Sequence, residues 1–467
     1  MKERIDIMKK IFSILLCLCL IASFFGCGNK ENGEVTSNSQ DNSNMTAESK
    51  EEIYFLNFKP EVAKIYDKIV QTYKEETGVT VKVVTAASDT YEQTLTSEVA
   101  KKDAPTIFQI NGPIGYQSWK NFCADLSDTK LYSYLTDKNL AIKDGNGVYG
   151  IPYVVEAYGI IYNKAITDKY FALETRQKEV NSMDEIVNFS TLKTVVEDMT
   201  KHKDELKIDG VFASTSFSSG NQWRWHTHLA NVPMYYEFSE NTEYDDPAVA
   251  GLNTSDAAFK YAENFKNIFD LYINNSGTKK GLLGGKSVND AMSEFALGKV
   301  AMVQNGTWAY NDIKELSGNV VKADDIKMMP IYTGIKGEEK QGLCVGTENY
   351  ICVNSKVSKE KQEASIAFLE WLFSSEKGKK YVTDELEFIS PFNTFGENET
   401  PENPLSKETV RLMNKENITT VPWIFTAFPS EVFKEEFGSA LLEYTQGTKD
   451  WDYVKRTFVT SWKNESE

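Results

Sequence analysis

Basic charge is what this sequence most lacks. Its 467 residues carry 51 Lys and Arg against 68 Asp and Glu, a formal net charge of -17. The first 26 residues contribute +2 (Lys2, Arg4, Lys9 and Lys10 against Glu3 and Asp6), so the remainder carries -19. Such a surface repels a phosphate backbone and argues against nucleic acid as a partner. It also lacks the basic patch that would hold an anionic membrane surface. Histidine is nearly absent too, with only His202, His226 and His228. His226-Thr227-His228 would turn two imidazoles to one side only as a strand, and no adjacent carboxylate or cysteine completes a metal set. No G-x-S-x-G elbow, Walker loop or H-E-x-x-H motif occurs. Gly145-Asn146-Gly147-Val148-Tyr149-Gly150 fits G-x-G-x-x-G, but Pro152 and the extended run Ile151 to Val155 follow where a dinucleotide site needs a helix. Carboxylates are too numerous for any pair to stand out as glycosidase catalysts. The expectation is therefore a protein with no catalytic residues, no metal and no cofactor.

Cysteine is scarce in the body of the chain. Of six, Cys17, Cys19 and Cys27 lie in the leader region, leaving Cys123, Cys344 and Cys352. Three dispersed cysteines make no disulfide framework and lack metal-ligand spacing, so buried free thiols are expected. Long apolar runs are also missing. The one candidate, Ile11 to Phe25, is too short to span a bilayer comfortably and suits the apolar part of a secretory signal. No short repeat is visible, which disfavours solenoids and propellers.

What is present is an alternation of strand and helix patterns. At this length, two lobes are expected rather than one core. Ile53-Tyr54-Phe55-Leu56 reads as a buried strand. Pro60 and Glu61 suit a helix start, and Val62, Ile65, Tyr66, Ile69, Val70 and Tyr73 recur at helical spacing before Gly78. Val79 to Val84 is the next strand, giving a β-α-β unit with parallel strands. Thr90 to Lys101 reads as helix, and Thr106 to Ile110 as a third strand. The pattern continues, so the fold class is α/β. Ligands of open parallel sheets bind at the carboxyl ends of strands. That places Asn57, Lys59, Gln109 and Asn111 as candidate contacts, although Asn and Gly also serve simply as turn residues. Glu237 to Asp246, Gly281 to Lys286 and Gly396 to Pro404 read as loops, and Phe433 to Tyr444 and Tyr453 to Trp462 as closing helices.

Tryptophan placement carries the functional signal. Trp223 and Trp225 follow the turn-like run Ser218 to Gln222, Trp308 follows Asn305-Gly306-Thr307, and Trp423 follows Val421-Pro422. A flat indole covers the C–H face of a pyranose at little entropic cost, and amides and carboxylates meet the hydroxyls. Trp119, Trp371, Trp451 and Trp462 read as core or helix packing.

Three segments together resemble the extracellular solute-binding proteins of carbohydrate ABC transporters, the maltose-binding-protein type (family 1). They are Val148 to Lys164 (VYGIPYVVEAYGIIYNK), Phe295 to Trp308 (FALGKVAMVQNGTW), and Ala367 to Leu372 followed by Ser375 to Gly378. Gly26-Cys27 resembles a lipobox, where bacterial lipoproteins are cleaved and lipidated on the cysteine, with Phe24 and Phe25 departing from the usual pattern. A plain secretory signal cut elsewhere is the alternative. Gly28 to Lys50 is polar and reads as a tether.

The resemblance implies a two-lobe, hinge-connected fold of the periplasmic-binding type (type II) with a central cleft. It implies a signal peptide at 1–26, a lipidated Cys27 and tether at 27–50, an N-terminal lobe at 51–156 plus 350–390, and a C-terminal lobe at 157–349 plus 391–467. Crossings are expected near Val155 to Tyr158 and Thr347 to Ile351. Trp308 matches the family's sugar-stacking tryptophan, with Asn305 in the same motif, and Glu156 a hinge carboxylate. Asn57 and Lys59 match the polar loop after the first strand, and Trp223 and Trp423 further aromatic platforms. The implied partners are a carbohydrate, the permease subunits of an importer, and the membrane through a lipid anchor only, with the protein a monomer. A binding protein for a polyol or amine, a surface glycan-active enzyme and a glycan-adhesion protein stand as alternatives.

Overall fold

Ile53 to Leu56 alternate between two apolar clusters, Ile53 and Phe55 in one, Tyr54 and Leu56 in the other. A strand buried on both faces has this pattern, and it is β1 (Ile53–Asn57). A short 3₁₀ turn at Pro60–Val62 leads into the helix Ala63–Thr77, which ends where Gly78 takes a left-handed conformation (φ 72°). The chain then lays down β2 (Val81–Thr85), β3 (Ile107–Asn111), β4 (Ile142–Asp144) and β5 (Gly147–Pro152) in the same sheet. β1 pairs in parallel with β2 and β3, as the β-α-β reading requires. The computed structural model describes residues 52–466 apart from 87–89, 215 and 397. The expected signal segment, Cys27 and the 27–50 stretch lie outside the described residues.

From β5 the chain passes through residues 153–155 into a second sheet. This sheet takes β6 (Glu156–Asn163), β7 (Gly210–Phe212), β8 (Val300–Gly306), β9 (Ile326–Met329) and β10 (Gln341–Gly346). β8 runs antiparallel along one edge of β6, and β10 and β9 share the other edge, against its first and second halves. The chain returns through Thr347-Glu348 to β11 (Asn349–Val353), which runs antiparallel between β3 and β5 in the first sheet. After the helix Lys359–Ser374 it goes back again, and β12 (Thr419–Pro422) pairs with β10. The strand orders are β2-β1-β3-β11-β5-β4 and β12-β10-β6-β8-β7, with β9 beside β6. The fold is α/β with two lobes of the periplasmic-binding type.

Two segments expected as loops differ. The helix Ala230–Ser239 runs into the first, because Glu237 accepts the backbone N–H groups of Ala258 (2.7 Å) and Lys260 (2.6 Å) and anchors that turn. The second forms a 3₁₀ helix, Lys280–Gly285, around buried Leu283. The closing helices are longer than their sequence cores, Glu431–Thr445 and Trp451–Ser466. They pack Phe433, Phe437, Phe458 and Trp462 into one aromatic cluster with edge-to-face contacts, and the Phe259 ring joins it, stacked on Phe458 with its centroid 4.0 Å away. Trp462 is fully buried and donates its indole N–H to the Thr254 carbonyl at 2.8 Å. Among the described residues no helix is long and apolar enough to cross a membrane. Truncating Trp462 to Ala removes the centre of this cluster and the part-buried indole hydrogen bond. A loss of about 3–5 kcal/mol is expected, measured by urea unfolding at constant m-value.

Candidate functional site

The site is built where the strands of the two sheets end against each other. Asn57 closes β1 and folds back on its own loop. Its Nδ2 donates to the Lys59 carbonyl (2.8 Å) and to Thr85 Oγ1 (3.0 Å), and its Oδ1 accepts the Lys59 N–H (3.2 Å). Gln109, in β3, accepts the Phe58 N–H at 2.6 Å and donates to the Tyr153 hydroxyl. Both amides are fully buried and hold the loop in which Lys59 sits. Lys59 Nζ then donates to both carboxylate oxygens of Glu156, at 2.7 and 2.9 Å, with Glu61 at 3.5 Å. Glu156 is the first residue of β6, so this ion pair joins the loop of one sheet to a strand of the other. Burial opposes the charge on Lys59, but Glu156 and Glu61 more than offset it and hold its pKa above the ordinary lysine value. Burial pushes Glu156 up, with Lys59 opposing.

Asn111 ends β3 and leads into the helix Gly112–Trp119; its Oδ1 is buried without a partner. Gly112 has φ 65°, and a Cβ there would stand 2.7 Å from the Thr426 Cβ. Asn111 thus lies at a close approach between the first sheet and the segment after β12.

The aromatic part of the site comes from the second sheet. Trp308 follows β8 and is half-buried, as is Trp223. Their ring centroids are 6.1 Å apart, and Trp423 lies 6.2 Å from Trp308. His228 sits among all three, 4.9 Å from Trp223, 5.5 Å from Trp308 and 6.0 Å from Trp423, and stacks on Tyr158 at 4.2 Å. Burial, then Arg224 nearby, holds the His228 imidazole neutral, well below its ordinary pKa. Two glycines make room for these rings. A Cβ at Gly306 would stand 2.2 Å from the Trp308 ring, and one at Gly346 2.5 Å from Trp423 Cγ.

The structure does not bring every candidate to this cluster. Trp225 is buried in the core of the second lobe against Phe217, Phe269 and Tyr272. Neighbours two apart on a helical turn point to different sides, which separates it from Trp223. Asn305 is buried and turned inward, donating to Met292 Sδ (3.0 Å) and accepting the Gly306 N–H (2.9 Å). Trp423 is nearly buried and forms the back of the cluster more than its face.

A crevice between the sheets is lined by Trp308, Glu156, Glu61, Asn311, Glu387 and Ser406 among others. Asn311 Oδ1 and Ser406 Oγ are buried there without partners. Glu387 pairs with Lys314 at 2.8 Å. The sequence reading missed Asn311, Ser406, His228 and Tyr158. Asn311 lies three residues after Trp308 on the following helix, a spacing that was legible; Ser406 arrives from a distant segment and carried no local signal.

Two carboxyls near the seam are pushed up, Asp312 to about 6 by burial and Glu61, with Arg224 opposing, and Glu348 to about 7 by burial, with Lys434 and Lys59 opposing. Their folded-state pKa lies above the ordinary carboxyl value near 4. The native state therefore keeps protons that the unfolded chain has released, and their contribution to stability falls as pH rises from about 4 to about 7. Glu348→Gln is expected to flatten that decline, measured as Tm against pH. Lys59→Ala strands Glu156 without its partner and is expected to cost about 3–5 kcal/mol in chemical unfolding, while the double change K59M/E156L restores most of it.

The sequence from residue 68 to 403 matches the family described as bacterial extracellular solute-binding protein. Among curated proteins, none matches the chain. Solved structures share the fold. The solute-binding protein RafE in complex with raffinose is 18% identical, with a TM-score of 0.66 over 89% of this chain and 100% of its own. A chitin oligosaccharide binding protein is 16% identical, with a TM-score of 0.69 over 90% and 99%. A sugar transporter protein of Bacillus licheniformis in complex with stachyose is 17% identical, with a TM-score of 0.61 over 89% and 100%. With two sheets joined by crossing segments, and a matched region spanning most of the described residues, the chain belongs to the bacterial extracellular solute-binding protein family.

Proposed function

We propose that this protein is the sugar-binding subunit of a carbohydrate ABC importer, taking an oligosaccharide between its two lobes and passing it to the permease without catalysis. The observation that carries this reading is Trp308, half-buried in the wall of the inter-sheet crevice with the unpartnered Asn311 Oδ1 and Ser406 Oγ beside it. An indole face with adjacent unspent polar atoms suits a ring that is apolar on its faces and hydroxylated at its rim. Trp223 extends the platform, and Trp423 and His228 back it. Glu156, Lys59, Asn57, Gln109 and Asn111 act around the seam. Structural neighbours in complex with raffinose and stachyose support a sugar ligand.

The charge at the crevice favours a neutral sugar over an amine. Of its lining carboxylates, Glu156 and Glu61 share Lys59, at 2.7 and 3.5 Å, and Glu387 is paired with Lys314. The lobes we assign are 51–156 plus 350–390 and 157–349 plus 391–467, with sugar favouring their closed arrangement by its differential affinity. Residues 1–26 act as a signal, Cys27 carries the lipid and 27–50 is the tether, which places a monomer on the outer face of the cytoplasmic membrane. Several buried acyl chains at ~0.8 kcal/mol per CH₂ suffice for that anchor.

Calorimetric titration with raffinose, stachyose and chitin oligosaccharides tests the reading, with saturable binding to at least one expected and no heat with any sugar counting against it. For the sugar that binds, Trp308→Ala is expected to weaken affinity by more than about 1 kcal/mol with the fold retained by circular dichroism. Unchanged affinity would remove Trp308 from the site.

A further inference from the structure

Beside the platform, on the inner side of Trp223, lies a second cavity, lined by Ser214, Arg224, Tyr272, Gln304 and apolar neighbours including Phe212 and Val303. Four of these residues carry buried polar atoms without a hydrogen-bond partner: Ser214 Oγ, both terminal nitrogens of Arg224, the Tyr272 hydroxyl and Gln304 Oε1. Arg224 is only 2% exposed. Its Nε donates to the Gln304 carbonyl at 3.2 Å, and Gln304 Nε2 donates back to the Arg224 carbonyl at 2.8 Å. That exchange fixes both side chains while leaving the outer guanidinium unspent. Burial pulls the Arg224 pKa down to about 9, with Asp312 opposing, so the group is still charged at neutral pH.

A buried cation with no carboxylate in contact is costly, and the cost falls when a small anion completes it. The two guanidinium nitrogens can only donate, the hydroxyls of Ser214 and Tyr272 can turn to donate or accept, and Gln304 Oε1 is the one atom that can only accept. A water molecule would fill hydrogen bonds but bring no charge, and Asp312, which acts on Arg224 from a distance, makes no ion pair with it. We propose that this cavity binds a small monovalent anion of chloride size, held by the Arg224 guanidinium with the hydroxyls of Ser214 and Tyr272. The Arg224 Cζ stands 4.1 Å from the Trp223 ring centroid, so the ion also steadies the ring above it. This inference does not depend on the sugar reading.

The test compares the purified protein in sodium chloride and in sodium gluconate at equal ionic strength. Chloride is expected to raise Tm saturably, on the order of 2 °C, as a ligand of the native state does. Crystals grown with sodium bromide are expected to show an anomalous peak beside the Arg224 terminal nitrogens. Ser214→Ala, a small change that leaves the guanidinium in place, is expected to weaken the chloride-dependent rise, and Arg224→Met to abolish it. Equal Tm in the two salts, together with a water and no bromide peak in the cavity, would overturn the proposal whether or not the protein binds sugar.

Discussion

Removing an ammonium and a carboxylate from water costs several kcal/mol for each ion, and only close, well-directed contact offsets it. The Lys59–Glu156 pair meets that condition at the seam between the sheets, with two short contacts to one carboxylate. The neighbouring polar side chains make sense only in relation to it. Asn57 and Gln109 spend their amides on the backbone of the Lys59 loop and on Tyr153, so the ammonium is aimed before it meets its partner. Strand ends that would otherwise be loose turns become a rigid mount. The ion pair also differs from an apolar seam in what separation does: each ion regains its hydration when the contact breaks, whereas exposed apolar surface gains nothing from water.

On the other side of that seam, the site depends on missing side chains. Gly306 and Gly346 let indole rings lie directly on the backbone, at distances no Cβ would tolerate. The rings are thereby held by main chain, which moves less than a side chain does. The loop carrying Trp308 is fixed from two directions, by the Thr307 N–H to the Ala157 carbonyl (2.9 Å) and by Asn403 Nδ2 to the Thr307 carbonyl (3.1 Å). One tie comes from β6 and the other from the start of the helix Pro404–Met413, so the platform registers the position of both.

Much of the fold was legible because strands and helices announce themselves locally. Ile53 to Leu56 and the stripe from Val62 to Tyr73 are periodic, and the structure follows them within a few residues. The antiparallel insertion of β11 between β3 and β5 was not legible from periodicity, since a buried strand reads the same in either direction. The site was legible in its turn-borne parts, such as Trp308 after Asn305-Gly306-Thr307. It was not legible where meaning depends on which way a residue faces. Trp223 and Trp225 look equivalent in a turn-flanked string, yet one reaches the cluster and the other the core. Asn305, beside the same glycine as Trp308, spends its amide on a methionine sulfur inside.

The separation of those two tryptophans follows from the helical geometry after Trp223. Arg224–Leu229 is a π-helical turn, in which backbone hydrogen bonds reach five residues rather than four. Widening the turn changes which residue returns to a given face. Counting from Trp223, an α-helix would bring residues 226 and 227 back beneath the indole, whereas the wider turn brings His228, whose ring lies 4.9 Å away. His228 can then stack on Tyr158 of β6, and Arg224 is left to lie across the Trp223 ring. An aromatic face, a neutral imidazole and a buried guanidinium thus meet because one turn is wound more loosely than its neighbours. Such turns carry a cost in backbone geometry and recur at functional sites for this reason. Here the cost falls at the point where the second sheet's helices meet the crevice, and the widening that brings His228 beneath Trp223 supplies the support for that ring.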